Sequence, residues 1–473
     1  MKRVLLINTN IEKSPYPIPP LGICLLASYI EPYYEVKVYD GVFDEGRSLV
    51  NFVAAFQPDY IGFSIRNIDD VVADKEVFYI DRILSDFIQP VMRVSSAPVI
   101  LGGSGFSVFP PELMQLSGAD YGIVGEAEEL FLDLLQKLDQ GLVPEAHPRL
   151  WRKRSRDAAG GMKSDFLRYD LVPFSDIDKK IDFAPYMQRG VYSIQTKRGC
   201  ALKCVYCTYP CIEGKTYRLR DPEEIAREIE EVVARLGRVM IEFVDSTFNE
   251  PKGHAEAICH AIIKLRLKVN LRTMGVNPRN TGREFFELMK EAGFVQIDAT
   301  PDSASPTVIR NLRKGFSVAD IRRSALLIRE FNLPTMWFFL FGGPGETEET
   351  VGETREFIRE FISPEDMVLM LAGLRIYPNT PLEKIALKEG VIKPGQSLFR
   401  PSPYYFSEFT PKKSLNQMIS AIADEFHNCL PALDSTPSTE ILQKATHLRN
   451  AEKLTEPMFR TLLRVRRDEG RET

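Results

Sequence analysis

The chain has 473 residues, 44% hydrophobic and 26% charged, with a formal net charge of -5. That length supplies two or three domains with real cores, and the balance gives no basic footprint for nucleic acid or a membrane surface. No run approaches the about 18 apolar residues of a membrane span, and Met1-Lys-Arg-Val-Leu-Leu-Ile-Asn8 is too short for a signal sequence, so a cytoplasmic setting is expected. Residues 1–140 alternate strand and helix patterns. Strands are expected at 3–7, 36–39, 60–63, 99–101 and 121–124, and helices at 21–30 and 48–56. Five strands separated by helices argue for a doubly wound, mostly parallel, flavodoxin-like sheet. Ligands of such sheets sit at the carboxyl ends of the strands, near the topological switch point. The loops there are 8–20, 64–70, 102–107 and 125–128, rich in Gly, Ser and Pro.

Residues 141–190 mix Pro, Gly and charge, as in Ala158-Ala-Gly-Gly161 and Leu171-Val-Pro-Phe174, and read as a linker. The basic run Arg149-Leu-Trp-Arg-Lys-Arg-Ser-Arg156 falls there and reads as a solvated face. From 191 to 395 a strand–helix unit repeats six times, with strands near 191–196, 239–245, 269–273, 294–299, 335–341 and 367–376. One helix start is explicit: Asp221-Pro-Glu-Glu224 offers a cap, a first-turn proline and a Glu at the third position. Ile225, Ile229, Val232, Val233 and Leu236 share its apolar face, and Gly237 ends it. Apolar strands of this kind belong to a parallel sheet covered on both faces. Six units in sequence fit an open barrel, with its active site at the carboxyl ends of the strands. Residues 396–473 bring Pro401-Ser-Pro-Tyr-Tyr-Phe406 and charged helical patterns, a small α-helical cap frayed from 464 onward.

Directly after the first barrel strand come Cys200, Cys204 and Cys207, spaced C-x3-C-x2-C. Three thiolates from one tight loop can hold three irons of a [4Fe-4S] cluster and leave the fourth iron open, unlike sites with four cysteine ligands. A zinc site would require a fourth ligand, for which Cys211 is near. Disulfides do not suit seven sparse cysteines. Gly199 permits the turn before the first ligand, and Tyr206 places an aromatic ring beside the third.

The stretch Gln195-Thr-Lys-Arg-Gly-Cys-Ala-Leu-Lys-Cys-Val-Tyr-Cys-Thr208 resembles the signature of the radical S-adenosylmethionine (radical SAM) enzymes. The resemblance implies a (β/α)6 partial TIM barrel whose open iron chelates SAM and whose electron cleaves it to a 5′-deoxyadenosyl radical. By position it assigns Asp245 and Ser246 to the SAM ammonium, the alternative being a helix N-cap. It assigns Asp302 and Ser303 to the ribose and carboxylate, with Arg313-Lys-Gly315 following, although Asp302 is one methylene shorter than the family's Glu. Gly342 and Gly343 fall at the adenine turn, and Arg375 at the SAM carboxylate or a substrate acid, with Tyr377 toward substrate; either of these two residues is equally readable as structural. Arg375-Ile-Tyr-Pro-Asn-Thr-Pro-Leu382 looks like the family's PGTPL turn with Asn379 in place of Gly.

The first segment resembles the cobalamin (B12)-binding domain found upstream of many radical SAM modules, through Pro19-Pro-Leu-Gly22, Gly102-Gly-Ser-Gly105 and Gly125-Glu-Ala-Glu128. Cobalamin-contacting positions are then Ser64, Arg66, Gly103, Ser104, Gly105, Gly125 and Glu126. The D-x-H-x-x-G motif is missing and the first histidine is His147, so no histidine of this domain ligates cobalt. The alternative is a flavodoxin-like sheet that has lost its cofactor. Trp337, Phe338 and Phe339 read as core, and His254, His260, His427 and His447 show no ligand spacing.

The combination implies a cobalamin-dependent radical SAM methyltransferase, with a [4Fe-4S] cluster, SAM and cobalamin as cofactors. It would act on an unactivated carbon or phosphorus centre of a small-molecule substrate, fed by an electron donor such as flavodoxin or ferredoxin. One SAM would supply the methyl group through cobalamin and a second the radical. The rivals are radical cyclisation, oxidation or rearrangement without methyl transfer, loss of cobalamin with aminocarboxypropyl transfer, and a non-catalytic Fe-S protein.

Overall fold

The computed structural model describes residues 1–13, 16–74, 76–153, 173–432, 438–454 and 456–472. They form two compact units. The first comprises Met1–Val71, Glu76–Ala201 and Thr208–Leu219, and the second Val72–Lys75, Leu202–Cys207 and Arg220–Thr473.

The sheet of the first unit runs, in space, Glu35–Asp40, Arg3–Asn8, Tyr60–Ser64, Val99–Gly102, Tyr121–Ile123 and Leu150–Arg152. Its first five strands pair in parallel, as their apolar runs foretell, with Val4, Leu5, Leu6 and Ile7 all buried. The order reverses at Arg3–Asn8, so the switch point lies between that strand and Tyr60–Ser64. Gly62 sits in mid-strand because a side chain there would strike Leu6 at 2.8 Å and Phe131 at 3.4 Å.

The sixth strand corrects the linker reading. Leu150–Arg152 pairs antiparallel with Tyr121–Ile123, so part of the basic run is an edge strand of the sheet. Farther along the same segment, helices Ile177–Lys180 and Ala184–Arg189 bring in Tyr186, fully buried, whose hydroxyl donates to Asp40 at 2.6 Å. Ala158-Ala-Gly-Gly161, Leu171 and Val172 lie outside the described residues.

In the second unit, strands Met240–Phe243, Asn270–Val276, Phe294–Asp302, Thr335–Phe341 and Met367–Ala372 each pair in parallel with the next in sequence. Helices Pro222–Leu236, His254–Lys264, Arg283–Ala292, Val318–Glu330 and Glu348–Phe361 alternate with them, the βα repeat of an open barrel. Asp221 caps its helix as expected, accepting from the N–H groups of Glu223 at 2.8 Å and Glu224 at 3.1 Å. On that helix Glu228 is buried among Ile225, Ile229 and Val232, which is tolerable because Arg220 donates to it at 2.6 Å. Trp337 and Phe339 are buried and Phe338 is partly buried, in keeping with a core reading.

Two expectations about the carboxyl-terminal segment are corrected. Cys429–Pro431 adds a strand beside Met367–Ala372, so this segment is not a helical cap alone. Helix Met458–Glu472 runs past residue 464 where fraying was expected. Phe459 and Leu463 anchor its first half against Met336, Met367, Leu369 and Leu430, and beyond the expected boundary Val465 is also buried.

Candidate active site

The cysteine loop is built for close backbone packing. Lys197–Arg198 pairs antiparallel with Arg218–Leu219, and Gly199 follows at φ +86°. A Cβ on Gly199 would lie 2.1 Å from the Thr216 carbonyl oxygen, so only glycine fits. Its N–H donates to Glu213 Oε2 at 3.2 Å, and the Cys200 N–H donates to the Gly214 carbonyl at 3.0 Å. Within the second unit, the Cys207 N–H donates to the Cys204 carbonyl at 3.3 Å. Val205 between them is strapped on both sides: its N–H donates to Leu312 at 3.1 Å, and its carbonyl accepts from Leu382 at 2.9 Å. The Cys-Val-Tyr-Cys, Leu-Arg-Lys-Gly and Pro-Asn-Thr-Pro-Leu motifs, far apart in sequence, thus share one set of backbone bonds. Among the described residues Cys200, Cys204 and Cys207 form no disulfide. Three soft thiolate donors within eight residues of sequence suit an iron–sulfur cluster. Among the described residues no three His, Cys, Asp or Glu side chains are grouped so as to hold one metal ion.

Asn379, which stands where the family's turn has glycine, adopts φ +65°, and its N–H donates to Glu383 Oε2 at 2.7 Å. Asparagine tolerates this left-handed conformation better than other side chains. Asn379→Ala is expected to lose about 1 kcal/mol in chemical denaturation and Asn379→Gly to stay near neutral.

Beside the cysteines lies a buried ionic group. Lys314 donates to Asp302 Oδ2 at 2.6 Å and to the Tyr206 hydroxyl at 3.1 Å, and Tyr206 in turn donates to Asp302. Burial alone would lower Lys314, but Asp302, Cys204 and Cys207 outweigh it and hold the ammonium above its usual value. Burial, then the Asp302 charge, pushes the Tyr206 phenol up. The Asp302 carboxylate is therefore occupied by Lys314 and Tyr206 where a ribose contact was expected. Ser303 is buried and its hydroxyl accepts from the Ser305 N–H at 3.0 Å, shaping the turn into helix Pro306–Leu312. The motif resemblance gives Lys314 no role of its own; the Lys-Gly pair after a short helix is the sequence signal for it.

Asp245 is buried after strand Met240–Phe243. The next helix begins at His254 with Gly253 as its cap, so Asp245 and Ser246 are not an N-cap. Phe248 donates from its N–H to the Gly275 carbonyl at 2.9 Å, tying two strand-end loops together. At the turn after Thr335–Phe341, the N–H groups of Gly342 and Gly343 donate to Glu346 Oε2 at 2.6 and 3.3 Å. They hold this carboxylate, which the sequence reading missed. Arg375 is also engaged within the fold. Its guanidinium donates to the carbonyls of Ile376 at 2.8 Å and Leu398 at 2.7 Å, and it lies over the Tyr377 ring at 5.0 Å. Of the two readings of Arg375, the structure favours the structural one.

Burial pushes Glu346 up to about 7 against the lowering effect of the Gly342 and Gly343 amides. The folded state then binds more protons than the unfolded one between pH about 4.5 and 7, so its contribution to stability falls as pH rises through that window. Glu346→Gln is expected to remove this slope. The variant should gain about 3 kcal/mol relative to wild type between pH 4.5 and 7, read from denaturation midpoints.

In the first unit, the predicted cobalamin contacts gather at the carboxyl ends of the parallel strands. Ser104 Oγ donates to the Arg66 carbonyl at 2.9 Å, and the Ser64 carbonyl accepts from Thr9 Oγ1 at 2.9 Å. The Gly125 N–H donates to Ser107 Oγ at 2.8 Å, and that hydroxyl donates to the Gly103 carbonyl at 2.8 Å. Gly103, at φ +96°, is required by the neighbouring loop: a Cβ would lie 2.5 Å from the Ile65 carbonyl, and one on Gly105 would lie 3.0 Å from it. The Glu126 side chain is engaged in ion pairs with Arg198 and Arg218. Arg66 and Ser104 are exposed just after strands Tyr60–Ser64 and Val99–Gly102.

Comparison with known proteins agrees with both halves. Residues 7–135 match the B12 binding domain and residues 194–358 the radical SAM superfamily. The tryptophan 2-C-methyltransferase of Streptomyces laurentii is 27% identical over 448 residues, covering 80% of this chain and 74% of that protein. The hopanoid C-2 methylase of Rhodopseudomonas palustris (strain TIE-1) is 24% identical over 384 residues, covering 79% of this chain and 65% of the relative. The fold is that of the radical SAM methyltransferase TsrM from Kitasatospora setae, solved with cobalamin and a [4Fe-4S] cluster bound, at TM-score 0.82 and 24% identity over the whole of both chains. The chain thus joins a B12 binding domain to a radical SAM domain that follows it.

Proposed function

We propose that the protein is a cobalamin-dependent radical SAM methyltransferase acting on a small metabolite. The observation that carries this reading is the presence on one chain of a three-cysteine loop strapped by the barrel motifs and a doubly wound sheet with a glycine-lined switch point. The cluster and cobalamin, when bound, supply the one-electron and methyl-carrying chemistry; the protein supplies position and exclusion of water. Cys200, Cys204 and Cys207 hold the cluster. Tyr206, Asp302 and Lys314 wall its loop with a closed set of hydrogen bonds, and Asp245 lines the adjoining strand end. Ser64, Arg66, Ser104 and the glycines at 103, 105 and 125 offer the cobalamin cradle. Relatives named as methyltransferases of tryptophan and of a hopanoid support a carbon acceptor.

We further assign the electron to a small carrier of the flavodoxin or ferredoxin type and place the protein in the reducing cytoplasm. Among the described residues no helix is long and apolar enough to cross a membrane. The direct test is anaerobic cluster reconstitution in the presence of hydroxocobalamin, followed by gel filtration. Co-elution of stoichiometric cobalamin and cluster iron is expected; cluster iron without cobalamin would reduce the first unit to a scaffold.

A further inference from the structure

The Gly125-Glu-Ala-Glu128 loop does something other than touch a cofactor. Glu128 accepts from Arg198 at 2.6 Å, and Glu126 lies 3.3 Å from the same guanidinium and also pairs with Arg218. Arg149 adds a hydrogen bond to the Glu126 carbonyl at 2.6 Å. The side chains of Arg198, Glu126 and Glu128 are 6%, 7% and 4% exposed, so these charges are committed to one another. Arg198 and Arg218 are also direct partners in the two-residue hairpin that precedes and closes the Cys200 turn. Like charges facing each other across so short a hairpin repel, and two strands of two residues have little stability of their own. Glu126, seated between the two guanidiniums, removes that repulsion. From Arg198 the chain runs one residue to Gly199 and the next is Cys200, whose turn is tied to Glu213 and Gly214; Arg218 donates to the Glu213 carbonyl at 2.8 Å. On the other side, Gly125 is bonded through Ser107 to Gly103. All of these residues belong to the first unit.

We propose that Glu126 and Glu128 are positioning residues for the first cluster cysteine, and that through them cobalamin occupancy and cluster geometry reinforce each other. This rests on the cobalamin-dependent reading above. A ligand seated against the 103–105 and 125 loops fixes Gly125, hence Glu126, hence the hairpin that presents Cys200. By linkage, the assembled cluster must tighten cobalamin by the same factor by which cobalamin favours the cluster.

The test measures hydroxocobalamin affinity by fluorescence quenching in cluster-free and cluster-reconstituted protein, with electron paramagnetic resonance of the reduced cluster with and without cobalamin. In wild type, cluster assembly is expected to tighten hydroxocobalamin at least about fivefold, and cobalamin to shift the cluster spectrum. The charge-neutral double variant Glu128→Gln with Arg198→Gln should bring the affinity ratio within about twofold of unity and leave the cluster spectrum unresponsive, with cluster-free affinity as in wild type. Arg198→Lys, which keeps the buried charge but not the two-carboxylate fork, provides the same comparison if the double variant does not fold. An unchanged ratio in the folded variant, or no shift in wild type that binds cobalamin, overturns the coupling alone. Wild type that binds no hydroxocobalamin overturns the cobalamin-dependent reading and the coupling with it.

Discussion

Cys204→Ala is expected to bring cluster iron to background and to abolish SAM cleavage, while the first unit stays folded. Cys204 contributes a half-buried thiol and a carbonyl that accepts from Cys207; alanine keeps the carbonyl and removes only the sulfur. The straps from Val205 to Leu312 and Leu382 are main-chain bonds and survive the change. The loss is therefore chemical: two thiolates remain where three are needed to leave one iron open for SAM. Iron assay, visible absorption and quantification of 5′-deoxyadenosine check it, and retained cleavage would refute the cluster assignment.

Asp302→Asn is expected to destabilise the barrel strongly. It leaves the Lys314 ammonium, 6% exposed, without its anionic partner. Removing one member of a buried pair costs about 3–5 kcal/mol, because the surviving charge stays out of water. For a domain of this size that lowers Tm by about 6–20 °C. Asp302→Asn combined with Lys314→Met should recover most of the loss, since the uncompensated charge is then gone. Thermal unfolding of the cluster-free proteins checks both, which separates this effect from any loss of cluster. A double variant as unstable as the single would show that Lys314 acts through packing alone.

How far the sequence could be read depended on how local each signal was. The parallel strands were legible because runs such as Val4 to Ile7 are apolar throughout, and the cap at Asp221 because it is satisfied within its own turn. The cysteine spacing was legible because three cysteines lie within eight residues. Leu150–Arg152 and Cys429–Pro431 were missed because three residues carry no period, and the first lies in a basic run. Glu126 and Asp302 read as ligand contacts from their motif positions, and Arg375 as either a ligand contact or structural, yet each charge has its partner inside the fold. Which carbonyls Arg375 meets, or that Glu126 faces two arginines some 70 and 90 residues onward, is decided by tertiary packing.

The measurement that bears most directly on methyl transfer is product analysis of SAM after reduction of the cobalamin-loaded, cluster-reconstituted enzyme. S-adenosylhomocysteine accumulating only when hydroxocobalamin has been bound is the expected result. Bound cobalamin with 5′-deoxyadenosine as the sole SAM product would contradict methyl transfer and leave a radical enzyme that uses cobalamin for another reaction.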